Sequence, residues 1–580
     1  MDRASIDRQS CGSFQLHRVL PCLGFVVAIV GLGIAAAKPL VNDQEPTAAA
    51  RQAATVIREE GLRAHIKFLA DDLLEGRGPG SRGDRLAQRY IATQFESLGL
   101  KPAAPPARED WFQSVPLVGV TARFPDTVVF RKGQQELSLK YREEFIGTSG
   151  MPRPKMSVND AELVFVGYGI VAPEYEWNDY KGADLRGKVL VMMNNDPAAD
   201  PKLFAGKTRL YYGRWDYKYE IAAKQGAAGA IIIHTTPSAG YPWQVVQTSW
   251  TGEEFELQSK SGPRLQLRSW VTEEAARRIA ELGGQDLIKL LAAAESRDFT
   301  PVPLGIKFSV DFSCDVREQT SANVLALIDG SDPKLRRELV VYTAHHDHLG
   351  LADEGAKGDD RIYNGAVDNA SGVASLLTIA RAFKQLPEPP ARSILFAAVA
   401  AEEQGLLGSE HFAAHPLVPS GFMAATINID GINIMGRTRD VNVIGHGKSD
   451  LDQILESVAK WQGRRVTPDL FPDRGFYYRS DQFNLAKIGV PGVYLHSGID
   501  VIGRPSGWGL LQRQRWEATR YHQPSDEYED AWDLSGAVED TQLLFHVGLQ
   551  VAQQNKLPEW KPGDEFEAAR KAAFNARRDE

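Results

Sequence analysis

The chain has 580 residues, 66 Lys+Arg against 75 Asp+Glu for a net charge of −9, and 43% hydrophobic and 24% charged residues. That length exceeds one compact core, so two or more domains are expected. The composition is that of a globular protein, and the acidic balance argues against a nucleic-acid surface.

At the amino end, Arg3, Arg8 and Arg18 precede an apolar run at residues 19–37 that finishes in Ala35-Ala36-Ala37. Residues 1–37 read as a signal peptide with small residues at its cleavage site; the alternative is an uncleaved membrane anchor, because the run approaches spanning length. The expectation is an exported protein, periplasmic or extracellular, with membrane association only if the leader stays on. Cys11 and Cys22 would leave with the leader, and Cys314 would then have no intrachain partner for a disulfide.

Residues 38–53 are polar and read as a linker. Over residues 54–74, Val56, Ile57, Leu62, Ile66 and Leu69 recur at helical spacing. The glycines and proline of the following LEGRGPGSRG stretch predict a loop. A second helix is predicted over residues 84–98, with Leu86, Tyr90, Ile91 and Phe95 on one face and Gly99 as its C-cap. Between residues 146 and 300 short β-like runs dominate, at 163–166, 188–193 and 230–234, with a helix at 219–224. This stretch shows no titratable cluster with metal spacing and reads as a small β-rich domain inserted into a catalytic domain formed by residues 54–145 and 301–556.

From residue 323 onward strands alternate with helices. Strands are predicted at 323–328, 338–344, 392–399, 424–429 and 490–495, and helices at 372–385 and 450–462. Alternation of this kind predicts an α/β fold with a mixed, largely parallel sheet flanked by helices. Residues 557–580 are charged, poor in apolar side chains, and expected to form a polar, frayed tail.

Five places bring acid or imidazole groups to strand ends or adjoining loops. They are His345-His346-Asp347, Asp368 just before a helix, Glu402-Glu403, Asp430, and His522 with Asp526 close behind. Each alone has an ordinary reading: a structural histidine, an N-cap aspartate, a solvated glutamate pair. Together, at the carboxyl ends of an α/β sheet where ligands bind, they suit a divalent metal such as zinc.

The ordered set His-x-Asp, Asp, Glu-Glu, Asp, His resembles the bimetallic zinc aminopeptidases of metallopeptidase family twenty-eight (peptidase M28). The blocks around 365–372 and 402–409 (EEQGLLGS) look like the signature blocks of that family. The stretch 68–102 looks like the start of its catalytic domain, and the stretch with Trp177-Asn178-Asp179-Tyr180 looks like a protease-associated domain. The resemblance implies a zinc exopeptidase fold and two zinc ions per chain. One zinc would be held by His345 and Asp430, the other by Glu403 and His522, with Asp368 bridging. It implies Glu402 as general base toward a hydroxide bridging the metals, Asp347 as the acceptor that orients His345, and a cis peptide between Asp368 and Asn369. His346 and His348 are expected to be structural, Asp481 is a candidate for substrate contact, and Tyr521 a candidate for steadying the tetrahedral intermediate.

The leading expectation is therefore an exported dizinc aminopeptidase acting on peptides. The alternatives are a carboxypeptidase or dipeptidase of the same fold, and a non-catalytic, receptor-like binding protein, which should have lost ligands. The insert is expected either to overhang the cleft and admit only short peptides or to lie away from it as a spacer. Oligomeric state, terminal-residue preference and native metal are not legible in the sequence.

Overall fold

The computed structural model describes residues 45–239, 242–259, 262–352 and 360–578. The expected leader lies outside them, as do the first residues of the expected linker. Among the described residues no helix is long and apolar enough to cross a membrane.

The carboxyl-terminal half is built on a sheet whose four central strands run parallel. Ser393–Val399, Leu339–His345, Met423–Asn428 and Gly492–His496 lie in that spatial order. The end of the long strand Val302–Ile328 pairs antiparallel with one edge. On the other side Asp440–Ile444 runs antiparallel, followed by Arg465–Pro468. Those last two short strands were not predicted, because neither carries a long apolar run. The first three central strands are buried along their whole length, as expected where helices cover both faces of a parallel sheet.

The side chains alternate as the pleat requires. Val340, Tyr342 and Ala344 join the core beneath Glu59–Leu69, Arg82–Ser97, Ser371–Lys384 and Ser535–Gln553. Leu339 and Val341 join Phe412, Phe422 and Leu485 on the opposite face. Arg82–Ser97 starts where its cap is: Ser81 accepts the N–H of Asp84 at 3.1 Å. It ends before Gly99, whose φ of +70° suits glycine.

A second core is drawn entirely from residues between Val120 and Cys314. Its centre is a parallel set, Lys155–Phe165, Val189–Met193, Gly229–His234 and Leu267–Thr272. This core reaches beyond residues 146–300 on both sides and has no sheet of its own, since Val302–Ile328 runs through both cores and pairs with Phe112–Arg123 along 12 residues.

The carboxyl end departs from expectation. Instead of a frayed tail, Glu567–Arg578 is a helix. Its few apolar residues mattered less than its arginines. Buried Arg570 donates to the carbonyls of Met423 at 2.8 Å, Ala424 at 3.2 Å and Pro558 at 3.1 Å. Arg577 pairs with buried Glu338. Composition hides this, because an arginine can bury its stem and spend its five donors on strand-end carbonyls. Likewise, part of the expected linker is the helix Ala48–Ala54, capped by Thr47.

Candidate metal centre

The parallel register brings the carboxyl ends of three strands level. His345 lies opposite Val399, and Thr343 opposite Asn428. His345, the Glu402-Glu403 pair and Asp430 therefore emerge side by side. Asp368 arrives from the kinked segment Ala366–Ala370 ahead of Ser371–Lys384, and the peptide between Asp368 and Asn369 is cis. Asn369 fastens this segment to the neighbouring strand end. Its Nδ2 donates to the Ile429 carbonyl at 2.9 Å, and its Oδ1 accepts from Gly372 at 2.9 Å and Gly431 at 3.0 Å. A Cβ on Gly372 would stand 2.1 Å from that same Oδ1, so the close approach requires glycine.

The central geometry is set by the two oxygens of Asp368. Oδ1 lies 3.2 Å from His345 Nε2, and Oδ2 lies 3.3 Å from His522 Nε2. His345 Nε2 is also 3.3 Å from Asp430 Oδ1, and His522 Nε2 is 3.1 Å from Glu403 Oε2. Ligand atoms on a tetrahedral zinc, each about 2.0–2.1 Å from the ion, stand about 3.3 Å apart. Each imidazole thus stands from its two carboxylates at the spacing of neighbouring ligands on one zinc, and one aspartate belongs to both triads. His345, Glu402 and Asp430 form one compact group of potential ligands, and His348, Asp368 and Glu403 another. His348 Nδ1 is spent on Glu403 Oε1 at 2.6 Å and its ring is fully buried, whereas His522 meets both carboxylates from the open side.

Donor chemistry points the same way. His345 Nδ1 lies 3.3 Å from the Asp347 backbone carbonyl, an acceptor, so the proton belongs there and the Nε2 lone pair faces two carboxylates. Lone pair against anion is an arrangement that a cation completes. Without one, burial opposes charge on His345 and His522, yet the surrounding carboxylates win and raise both imidazoles well above their ordinary value. Burial likewise works against charge on Asp368 and Glu403. Against it, His345 and His522 hold Asp368 well below its usual range, and His522 holds Glu403 down to about 2.

Glu402 is different. Its carboxylate comes no nearer than 4.0 Å to His345 Nε2, and burial, against the pull of His345, pushes it well up. The left-handed backbone at Ala401, φ +52°, turns the chain so that Glu402 and Glu403 face different sides of the site. Asp347 shapes this turn. Its carboxylate is 3.8 Å from His345 Nδ1, too far for the hydrogen bond expected of it. It accepts instead from the N–H groups of Glu402 at 3.0 Å and Glu403 at 3.3 Å. Asp347 thus aims the glutamates and leaves His345 to its backbone carbonyl.

His346 is fully buried between Asp84 Oδ1 at 3.2 Å and the Val399 carbonyl at 2.6 Å. Asp481 is fully buried and raised to about 7 by that burial, so it offers substrate no surface. Tyr521 stacks on His522 with ring centroids 3.9 Å apart and receives Arg479 Nη2 at 3.2 Å.

Three residues support the site, and only Asp526 was singled out in the sequence. Arg77, buried in the LEGRGPGSRG loop, donates to the carbonyls of His346 at 2.9 Å, Asn364 at 2.6 Å and Gly365 at 2.9 Å, and to that of Leu69. Asp526 accepts the N–H of Asp368 at 3.1 Å and of Val367 at 3.2 Å. Ser480 donates to Asp430 Oδ2 at 2.6 Å. Only the position of Asp526, four residues after His522, carried any local signal.

Against known proteins, residues 323–546 match the profile of Peptidase family M28, a span that contains every residue of the two triads and Glu402. The chain is 35% identical over 97 residues to aminopeptidase YwaD of Bacillus subtilis, 17% of this chain and 18% of that one. It is 36% identical over 128 residues to aminopeptidase NAALADL1 of Mus musculus, 21% of this chain and 15% of that one. The matched stretches thus span less than a quarter of these relatives. An aminopeptidase from Aneurinibacillus sp. strain AM-1 superimposes with a TM-score of 0.48 at 20% identity, covering 88% of this chain and 97% of its own.

Proposed function

We propose that this chain, whose residues 323–546 form a Peptidase family M28 domain, is an exported dizinc exopeptidase that removes amino-terminal residues from peptides. The supporting observation is the pair of imidazole–carboxylate triads sharing Asp368, with Glu402 beside them and outside both. His345, Asp430 and one oxygen of Asp368 would hold one zinc; His522, Glu403 and the other oxygen would hold the second. Zinc bound there supplies Lewis acidity and an acidified water.

The remaining work falls to side chains. Glu402, free of ligand duty, takes the proton from the attacking water and passes it to the leaving amine. Asp347 keeps Glu402 and Glu403 pointed to their separate tasks through their N–H groups. Tyr521, stacked on His522, would donate to the developing oxyanion.

A specific feature favours a second reading. Arg479, beside Tyr521, is a guanidinium that could take a terminal carboxylate, as a carboxypeptidase or dipeptidase would require. Hydrolysis of amino-acid arylamides, set beside amino-blocked dipeptides, separates the two. Cleavage of the arylamides alone fits an aminopeptidase; cleavage of the blocked dipeptides alone overturns it. The apolar leader at residues 19–37 supports export, which the amino-terminal residue of the mature protein would test.

A further inference from the structure

We propose that Tyr211, in the insert, is a positioning residue for the metal-side carboxylate Asp430, acting through Phe483 and Ser480; this rests on the dizinc reading above. The insert does more than interrupt the catalytic chain: it touches the turn that carries Arg479, Ser480 and Asp481. The Tyr211 ring lies 4.9 Å from Phe483 and 6.3 Å from Tyr478, on either side of that turn. Lys487 Nζ caps the contact, 5.2 Å from the Tyr211 ring and 4.6 Å from Phe483. On the insert side Tyr211 is braced edge-on by Tyr217 at 5.3 Å. Two residues earlier the Arg209 N–H donates to the Pro472 carbonyl at 2.9 Å.

The path from there to the metal side is short. The Phe483 N–H donates to the Ser480 carbonyl at 3.1 Å. Ser480 Oγ donates to Asp430 Oδ2 at 2.6 Å while accepting from Asn428 Nδ2 at 2.7 Å. Asp430 therefore presents Oδ1 to His345 because Oδ2 is held by Ser480. The adjoining Arg479 reaches Tyr521, which stacks on His522, so one turn bears on both triads. Groups that orient a metal ligand typically matter about 10–100-fold in metal affinity. Tyr211 is the part of this support that comes from outside the catalytic domain.

The test uses the full chain and reads zinc affinity by chelator competition, with the visible spectrum of the cobalt-substituted protein as a second readout of site geometry. Tyr211→Ala should weaken one of the two zincs about 10–100-fold and alter the cobalt spectrum, whereas Tyr211→Phe, which keeps the rings in contact, should change neither. On a Ser480→Ala background, Tyr211→Ala should add less than about threefold, because coupled residues do not act additively. A purely structural role would leave affinity and spectrum of the folded variant as in wild type, and that result overturns the proposal, as does full additivity with Ser480→Ala. If Tyr211→Ala fails to fold, Tyr211→Leu replaces it, with a loss at the same single site expected and wild-type affinity again overturning. A wild-type chain that takes up no zinc overturns the dizinc reading itself, and is recognised before any variant is compared.

Discussion

Two clusters of buried charge in this molecule sit near the ends of parallel strands, one in each half, and they are opposites. In the insert, the ammonium of Lys218 donates to the carbonyls of Tyr168 at 2.6 Å and Asn195 at 2.8 Å. Nearby Asp179 accepts from the Ile170 N–H at 2.9 Å and the Trp177 indole at 2.8 Å. Cation, anions and backbone satisfy one another, and burial brings Lys218 down and Asp196 up to about 7. At the carboxyl ends of the central strands, Asp368, Glu402, Glu403 and Asp430 gather around the imidazoles of His345, His348 and His522, so that carboxylates outnumber the rings they face. A closed cluster is a structural element; a cluster with anions in excess is a place for a cation. Burial and strand-end position are shared, so neither separates the two clusters; the charge balance does.

Substitutions can break that contrast. The largest effect is expected from Glu402→Gln, which should lower turnover about 10²–10⁴-fold with zinc content unchanged; loss of both zincs would show that Glu402 is a ligand. Next, Asp368→Ala should release both metals, whereas His522→Ala should weaken mainly one, as read by metal analysis after dialysis. Equal single-metal loss in the two variants would remove the bridge. In the closed cluster, Lys218→Met should destabilise the protein by about 1–3 kcal/mol, since it orphans two buried carbonyls, and leave zinc content and kcat untouched. A drop in zinc content would erase the distinction between the clusters.

A smaller effect concerns pH. His65, against Tyr90 Oη at 2.8 Å, is lowered to about 4 by burial. Between about pH 6.5 and 4 the unfolded chain binds a proton there that the folded chain refuses, so stability should fall as pH drops through that window. His65→Gln should flatten that part of a denaturation–pH curve without moving zinc affinity.

How much of this was legible is seen by following single residues. The apolar runs ending in His345 and Val399 announced their strands, and the ordered acids and imidazoles announced a cluster at the strand ends, because strand-end side chains lie beside the pattern that makes the strand. Leu339–His345 and Ser393–Val399 are each within one residue of where the pattern places them. The polar tail misled because composition scores an arginine as solvated, and Arg570 is buried on three carbonyls.

What the sequence by itself determined is the apolar central strands of the parallel sheet and the residue types available for a metal. What the tertiary structure decided is which partner each group has. That Asp347 serves the N–H groups of Glu402 and Glu403 and not the ring of His345, that Arg77 ties a loop near the amino end to residues 346–365, and that Tyr211 rests on Phe483 are contacts between distant segments. Local pattern carries no record of them, because a hydrogen bond or a ring contact depends on distances of a few ångströms that only the completed packing sets.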